Sequence, residues 1–249
     1  MINSNYYDMI FKRKSYHKFP EEIGKISKEE LKEIEDFFAG IEPLYPDIKV
    51  EMRIVPEKKV IGGRGAEYCL LLYSEKKDNY LQNIGYIGEQ LDLFLVSKNI
   101  GTLWFGIGRP DKQNYHGLSY AIMIEIAKVS EDTFRKDMFK SKRKELAEIW
   151  HGEELPFSNI IRFAPSACNS QPWIIENNGN TIDIYRYKAP GKRGIMPILM
   201  VRYFNQIDMG ILLCFFDICL AKEGLTYNRK LYTDNKDEEK ILFATYTKA

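Results

Sequence analysis

Two long apolar segments set the architecture this chain can adopt. YLQNIGYIGEQLDLFLVSKNIG, residues 80–101, and YFNQIDMGILLCFFDICLAKEG, residues 203–224, share a pattern that runs from an aromatic start to a closing glycine. Apolar positions at 84, 87, 91, 94 and 95 predict a long, mostly buried helix over 79–101, and the second segment predicts another over 205–225. The elements around them recur in the same order. Ser27, with Glu30 three residues on and apolar residues at 31, 34, 37 and 38, predicts a capped amphipathic helix over 27–39. KVEMRIV (49–55) and EYCLLLY (67–73) predict strands on either side of the IGGRG turn, and SYAIMIEIAKV (119–129) predicts a central strand. After a basic connector, residues 134–150, the pattern restarts with a helix over 154–164, strands at WIIE and TIDIYRY, the second long helix and a final strand pair. We therefore expect an α+β fold of two related lobes, 1–133 and 134–249, facing each other within one chain as the subunits of a dimer would.

Composition narrows the function classes. With 249 residues, 45% of them apolar, the chain can bury a full core, which excludes a disordered or fibrous protein. Its 36 basic residues against 35 acidic ones leave a net charge of +1, too little for a whole-molecule field that captures nucleic acid or an anionic membrane. An anion must be held locally. The most apolar run, residues 211–221, contains Asp217 and falls short of the roughly 20 residues that cross a bilayer, so no membrane span is expected. The opening MINSNYYDMIFKRK lacks the basic-then-apolar order of a secretory leader, and a cytoplasmic location is expected. Cys69, Cys168, Cys214 and Cys219 form no CxxC pair and are expected as mostly buried thiols. His17, His116 and His151 are scattered, leaving no candidate metal site.

Two stretches carry chemistry. APSACNSQPW, residues 164–173, places Ser166 and Asn169 on a run of small residues before Gln171-Pro172-Trp173, a wall suited to a planar polar ligand, with Pro172 expected to push Gln171 to an extended backbone. Arg13-Lys14-Ser15-Tyr16-His17-Lys18-Phe19 would project Arg13, Ser15 and His17 to one side if extended, where they could hold a phosphate. Taken alone, each has a plainer reading, a solvated basic face for one and a helix end with a turn for the other. RKDMFKSKRK, from Arg135, reads as a wet helix, Phe215 and Phe216 as core, and Asp208 as the N-cap of the second long helix.

Together the two stretches resemble the FMN-dependent nitroreductase family. Its Arg-x-Ser-x-Arg/Lys-x-Phe pattern is matched by Arg13, Ser15, His17 and Phe19, and its Pro-Ser-x-x-Asn-x-Gln-Pro-Trp pattern by Pro165 through Trp173. GYIGEQLDLFLVSKNIGTLWFGIG (85–108) and the IDMG of the second helix are also similar. Each motif occurs once and the two lie far apart, an order that resembles a two-lobed subgroup. The resemblance implies one FMN per chain, held between unlike lobes, in a protein that can be monomeric. It implies that Arg13, Lys14 and Ser15 hold the phosphate and ribityl chain, with Arg143 or Lys144 adding charge. It places Pro165, Ser166, Ala167, Asn169 and Gln171 on the flavin from the other lobe, and a backbone N–H of Gly106 or Ile107, in a loop over 104–108, near flavin N5. His17 departs from the family's Arg or Lys, exchanging a permanent charge for a histidine's conditional one. The implied activity is electron transfer from NADH or NADPH to a nitroaromatic, a quinone or a similar acceptor. The alternative is a non-enzymatic flavin-binding protein; a nucleic-acid module on residues 135–144 is disfavoured by the net charge.

Overall fold

The computed structural model describes residues 4–20, 24–188, 196–234 and 238–249. The first half begins with α1 (Tyr7–Lys12) and α2 (Lys28–Ala39). Ser27 caps α2 as expected: its hydroxyl accepts from the Glu30 N–H and the Glu30 carboxylate accepts from the Ser27 N–H, so two amides left open by the first turn are satisfied. There follow β1 (Val50–Pro56), β2 (Tyr68–Ser74), α3 (Tyr80–Ser97), β3 (Ile100–Phe105), β4 (Asn114–Tyr115) and β5 (Leu118–Lys128). The sheet runs β1-β2-β5-β3, antiparallel throughout, with β4 attached to β5.

The second half contains α4 (Leu146–Ile149), β6 (Trp150–Gly152), α5 (Ser158–Ile161), β7 (Trp173–Asn177), β8 (Thr181–Tyr187), α6 (Ile198–Lys222), β9 (Tyr227–Leu231) and β10 (Lys240–Lys248). Its sheet runs β6-β7-β8-β10-β9, antiparallel except for the β6–β7 pair. Leaving out β4 and β6, the two sheets have one topology: two strands, a long helix, an edge strand, and a last strand inserted between the second and the third. This is an α+β pseudo-dimer within one chain.

The long helices cross at Gly85 and Gly210, and the contact is reciprocal. A Cβ on Gly85 would lie 2.0 Å from the Ile207 carbonyl oxygen, and one on Gly210 would lie 1.9 Å from that of Gln82. Ile207 precedes Gly210 as Gln82 precedes Gly85, so an approximate two-fold axis passes through the crossing. The pairing of 80–101 with 203–224 is thereby slipped by two residues, Gly85 matching Gly210 rather than Asp208. The halves are also interleaved. Ile10 of α1 and Leu44 join the core of Trp173, Phe215, Phe216 and Phe243 beneath the second sheet, while Ile34, Leu91 and Ile124 fill the first. Phe215 and Phe216 are buried, as expected.

Several expectations need correction. The first long helix stops at Ser97, and Gly101 belongs to β3, where Tyr16 and Val129 pack within 2.9 Å and 2.8 Å of where its Cβ would stand. Trp104 and Phe105 are likewise strand, so the turn is confined to 106–108. Within 154–164 only Ser158–Ile161 is helical. The RKDMFKSKRK stretch is no wet helix: a short 3-10 turn at Met138–Lys140 replaces it, and the apolar Phe134 just before it and Met138 within it turn into the cores. The second long helix starts at Ile198, not 205, which puts Asp208 in its interior; Pro197 stands at the N-cap. At 25 residues α6 is long and apolar enough to cross a membrane, and 83% of its most apolar window is buried inside the fold. Of the thiols, Cys69, Cys214 and Cys219 are buried and Cys168 is exposed.

Candidate functional site

Ser15 bridges to Thr102 at the edge of β3, which carries the N-terminal segment past the crossing helices. The Ala167 loop approaches the same edge from the other half. Between them is a cavity of about 540 Å³, in the range of small-molecule sites. It is lined by Arg13, Lys14, Ser15, His17, Gly106, Ile107, Arg143, Pro165, Ser166, Ala167 and Asn169, so every residue expected at the site is there except Gln171 and Lys144, the alternative to Arg143.

Gln171 instead ties the wall to the connector. Its backbone is left-handed at φ 47° rather than extended, which lets its N–H donate to Ser166 Oγ at 3.0 Å. Its Oε1 accepts from Lys144 N–H at 2.9 Å, its carbonyl accepts from Lys144 Nζ at 2.8 Å, and Asn169 Nδ2 donates to the Lys142 carbonyl at 3.0 Å. Cys168 and Asn169 share the left-handed backbone, at φ 50° and 55°. Such conformations cost free energy in residues other than glycine and persist where the surroundings impose them.

The cavity is strongly cationic at one end. Sequence reading missed Arg64 and Arg135, which also line it, Arg135 within charge range of Arg13 and Arg143. Nothing in the local pattern around either marks it, since a lone arginine in a turn or a basic connector is ordinarily solvated. Arg13 is 4% exposed and its Nε donates to Asp92 Oδ2 at 2.9 Å, with Glu89 3.9 Å away. Asp92 also accepts from Thr102 Oγ1 at 2.6 Å and Trp104 Nε1 at 2.9 Å. Burial and the neighbouring Asp92 hold the Glu89 carboxyl well above the usual carboxylate range. Burial and the Arg13 charge bring Arg135 down to about 10; burial, then Arg135 and Arg13, do the same to Arg143. Neither has a carboxylate partner among the described residues. Arg13 Nη2 and Arg143 Nε are buried donors with no acceptor among the described residues. Clustered, partly desolvated guanidiniums with spare donors are a site for an anion such as a phosphate.

The remaining walls suit a flat ring. Leu103, Ile122, Ile207 and Ile211 supply apolar surface, and Pro165-Ser166-Ala167 small groups. Gly106 owes its identity to packing, since a Cβ there would lie 2.4 Å from the Phe204 ring. Asp208, from the interior of α6, accepts from the Ala167 N–H at 2.9 Å and so fixes the loop; burial pushes its carboxyl up to about 8.

The counterpart of this cavity across the two-fold axis is knit shut. Where the cavity has Phe204, Ile207, Ile211 and Trp104, the matching positions hold Asn79, Gln82, Tyr86 and Arg229. Asn79 Nδ2 donates to Tyr45 Oη at 2.7 Å, Tyr86 and Tyr246 donate to Asp217 at 2.7 Å and 2.6 Å, and Arg229 bonds to the same carboxylate. Asp217 matches Asp92. Among the described residues one junction is thus hollow and the other filled.

Comparison with known proteins agrees with this architecture. Residues 5–220 match the model of the family described as "Putative TM nitroreductase". The chain belongs to this nitroreductase family. A "putative nitroreductase" of Thermotoga maritima MSB8 superposes with a TM-score of 0.59 at 17% identity, covering 97% of this chain and 93% of that one, which shows a shared fold over both lobes. A "putative nitroreductase" of Desulfovibrio desulfuricans, crystallised in complex with FMN, covers 61% of this chain and 98% of its own at 16% identity and a TM-score of 0.41. A nitroreductase family protein of Clostridium difficile 630 covers 62% and 100%, at 14% identity and a TM-score of 0.46. No curated protein matches the chain.

Proposed function

We propose that this nitroreductase family member is an FMN-dependent oxidoreductase that takes hydride from NADH or NADPH and passes electrons to a nitroaromatic, a quinone or a similar small acceptor. The observation that carries the reading is the cavity itself: at one end Arg135 and Arg143, without acidic partners among the described residues, with apolar and small-residue walls beyond, contributed by both halves of the chain. With the division we propose at 133/134, Arg13, Lys14 and Ser15 belong to one lobe, and Arg135, Arg143 and the Pro165–Asn169 wall to the other.

The residues fit FMN. Arg143, Arg135 and Lys14 would take the phosphate, Arg143 through its unpartnered Nε. Arg13, already bound to Asp92, would offer its free Nη2 and hold Ser15, 3.4 Å from its Nη1, against the cofactor. His17 would lie at the pyrimidine edge and a backbone N–H of Gly106 or Ile107 at N5. Once bound, FMN supplies the hydride and electron transfer, and the protein supplies binding, orientation and exclusion of water.

One hollow junction beside a filled one supports a single flavin per chain. The test is an absorption spectrum and flavin count of the purified protein, before and after anaerobic NAD(P)H. One FMN per chain that bleaches is expected. Colour without bleaching would select a non-enzymatic flavin protein, and two flavins per chain would refute the one-site reading.

A further inference from the structure

Asp208 and Asn83 occupy matching positions on the crossing helices, related as Gly210 is to Gly85. They do matching work on the backbone. Asp208 Oδ1 accepts from the Ala167 N–H at 2.9 Å, and Asn83 Oδ1 accepts from the Tyr45 N–H at 2.9 Å, each pinning the loop that leads into the first long strand of its sheet. An amide therefore suffices for the pinning. A carboxyl in the same role risks a desolvation cost that the neutral amide never meets. The chain places the acid where the cavity is open, as part of its wall, and the amide where the counterpart is closed.

The hydrogen bonds around Asp208 have a place for a proton. Ser170 Oγ lies 3.4 Å from Asp208 Oδ2 and 3.3 Å from Asn205 Oδ1, and one hydroxyl hydrogen serves only one of these acceptors. A hydrogen on Asp208 Oδ2 resolves the shortage, donating to Ser170, which then donates to Asn205. Among the described residues no lysine or arginine neutralises this carboxyl. The other ionisable groups at the cavity are Arg13, Lys14, His17, Arg64, Arg135, Arg143 and Cys168; neither they nor any group of α3 has a charge interaction with Asp208. Burial alone is the force that raises it, only partly opposed by the Ala167 N–H and the Ser170 hydroxyl.

Resting on the reading of the cavity as the place where hydride reaches an acceptor, we propose that Asp208 is the proton donor for that acceptor, entering each turnover as a carboxylic acid. For a quinone the balance closes. Hydride brings two electrons and one hydrogen; the Asp208 O–H turns from Ser170 to the acceptor in the cavity it lines, and its bond breaks as an O–H bond forms on the substrate oxygen; NAD(P)H is oxidised, the quinone becomes a hydroquinone, and solvent returns a proton to the carboxylate.

Carbon-13 NMR of aspartate-labelled protein tests the acid directly, with Asp208→Asn assigning the resonance. The expected carboxyl midpoint lies near 8, matching the pH at which kcat for benzoquinone falls. Asp208→Asn should keep the loop pinned, since the chain already uses asparagine at the matching site. It should lower kcat at pH 7 by about 10²-fold and abolish the alkaline fall, with the rate of flavin bleaching by NAD(P)H unchanged. A midpoint below ~5, the ordinary carboxylate range, or a variant with wild-type kcat and pH profile, overturns the proposal. If the variant fails to fold, Ser170→Ala assigns the resonance by its shift, and the wild-type midpoint and alkaline limb decide by coinciding or not. A protein that binds no flavin would overturn the functional reading, and the proton role with it, whatever the midpoint.

Discussion

Arg143 is held to about 10 by burial and then by the charge of Arg135, which shares its cavity. Two guanidiniums set against each other without a carboxylate destabilise the empty protein and favour a bound dianion. Inorganic phosphate should therefore raise the Tm of flavin-free protein, by an amount that grows with its concentration. Arg143→Gln should remove most of that rise while leaving the phosphate-free Tm equal or higher. A phosphate response that survives in the Arg135→Gln, Arg143→Gln double variant would show that the anion binds elsewhere.

The helix crossing tolerates no side chain at its centre. Gly85→Ala and Gly210→Ala each drive a methyl into the opposing backbone, at 2.0 Å and 1.9 Å in the present geometry. Neither residue has a positive φ, so the cost is one of packing alone. Each substitution should lower stability by about 3 kcal/mol, the upper end for overpacked cores, because backbone yields less than a side chain. Urea unfolding reads the loss, and equal effects at the two sites would express their reciprocal placement.

Much of this was legible in the sequence. The capping box at Ser27, the strands that became β1, β2, β5, β7 and β8, and both long helices follow from local pattern, because each buries a face whose period is written in the residues. The two motifs marked both sides of the cavity because unusual residue types were clustered within a few positions. β3 was missed because six residues flanked by turns look like loop until Ser15 and β5 are found beside them. Arg64 and Arg135 matter only through tertiary proximity. Asp208 was misread because the helix starts earlier than its apolar pattern, with Ile198 and Leu199 exposed.

Stability should fall as pH rises from the ordinary carboxylate range to neutrality because of Glu125. Burial pushes this carboxyl up to about 7, although it accepts from the Arg64 N–H through both oxygens at 3.2 Å. The folded state therefore binds its proton more tightly than the unfolded chain, where the pKa is about 4.3. The contribution is fully present below the unfolded value and is lost between there and about pH 7. Glu125→Gln should flatten that part of the profile and stabilise the protein at pH 8 relative to wild type, measured by denaturant titration at pH 5 and pH 8.

The closed junction predicts a separation of stability from cofactor. Asp217→Asn weakens a carboxylate that accepts from Tyr86, Tyr246 and Arg229. A loss of roughly 2–4 kcal/mol is expected, since an acceptor with three donors, one of them a cation, is disrupted. Flavin content per folded chain should stay at the wild-type value. A variant that is stable but colourless would place a ligand role on the wrong junction.

In an assembly of identical subunits, every change at the seam is made twice and both pockets inherit it. Here the mirror positions are encoded separately, so Asp92 and Asp217, or Asp208 and Asn83, can drift apart under different demands. One seam is free to specialise in chemistry while the other becomes a clasp, and a substitution tolerated in the clasp carries no penalty at the pocket.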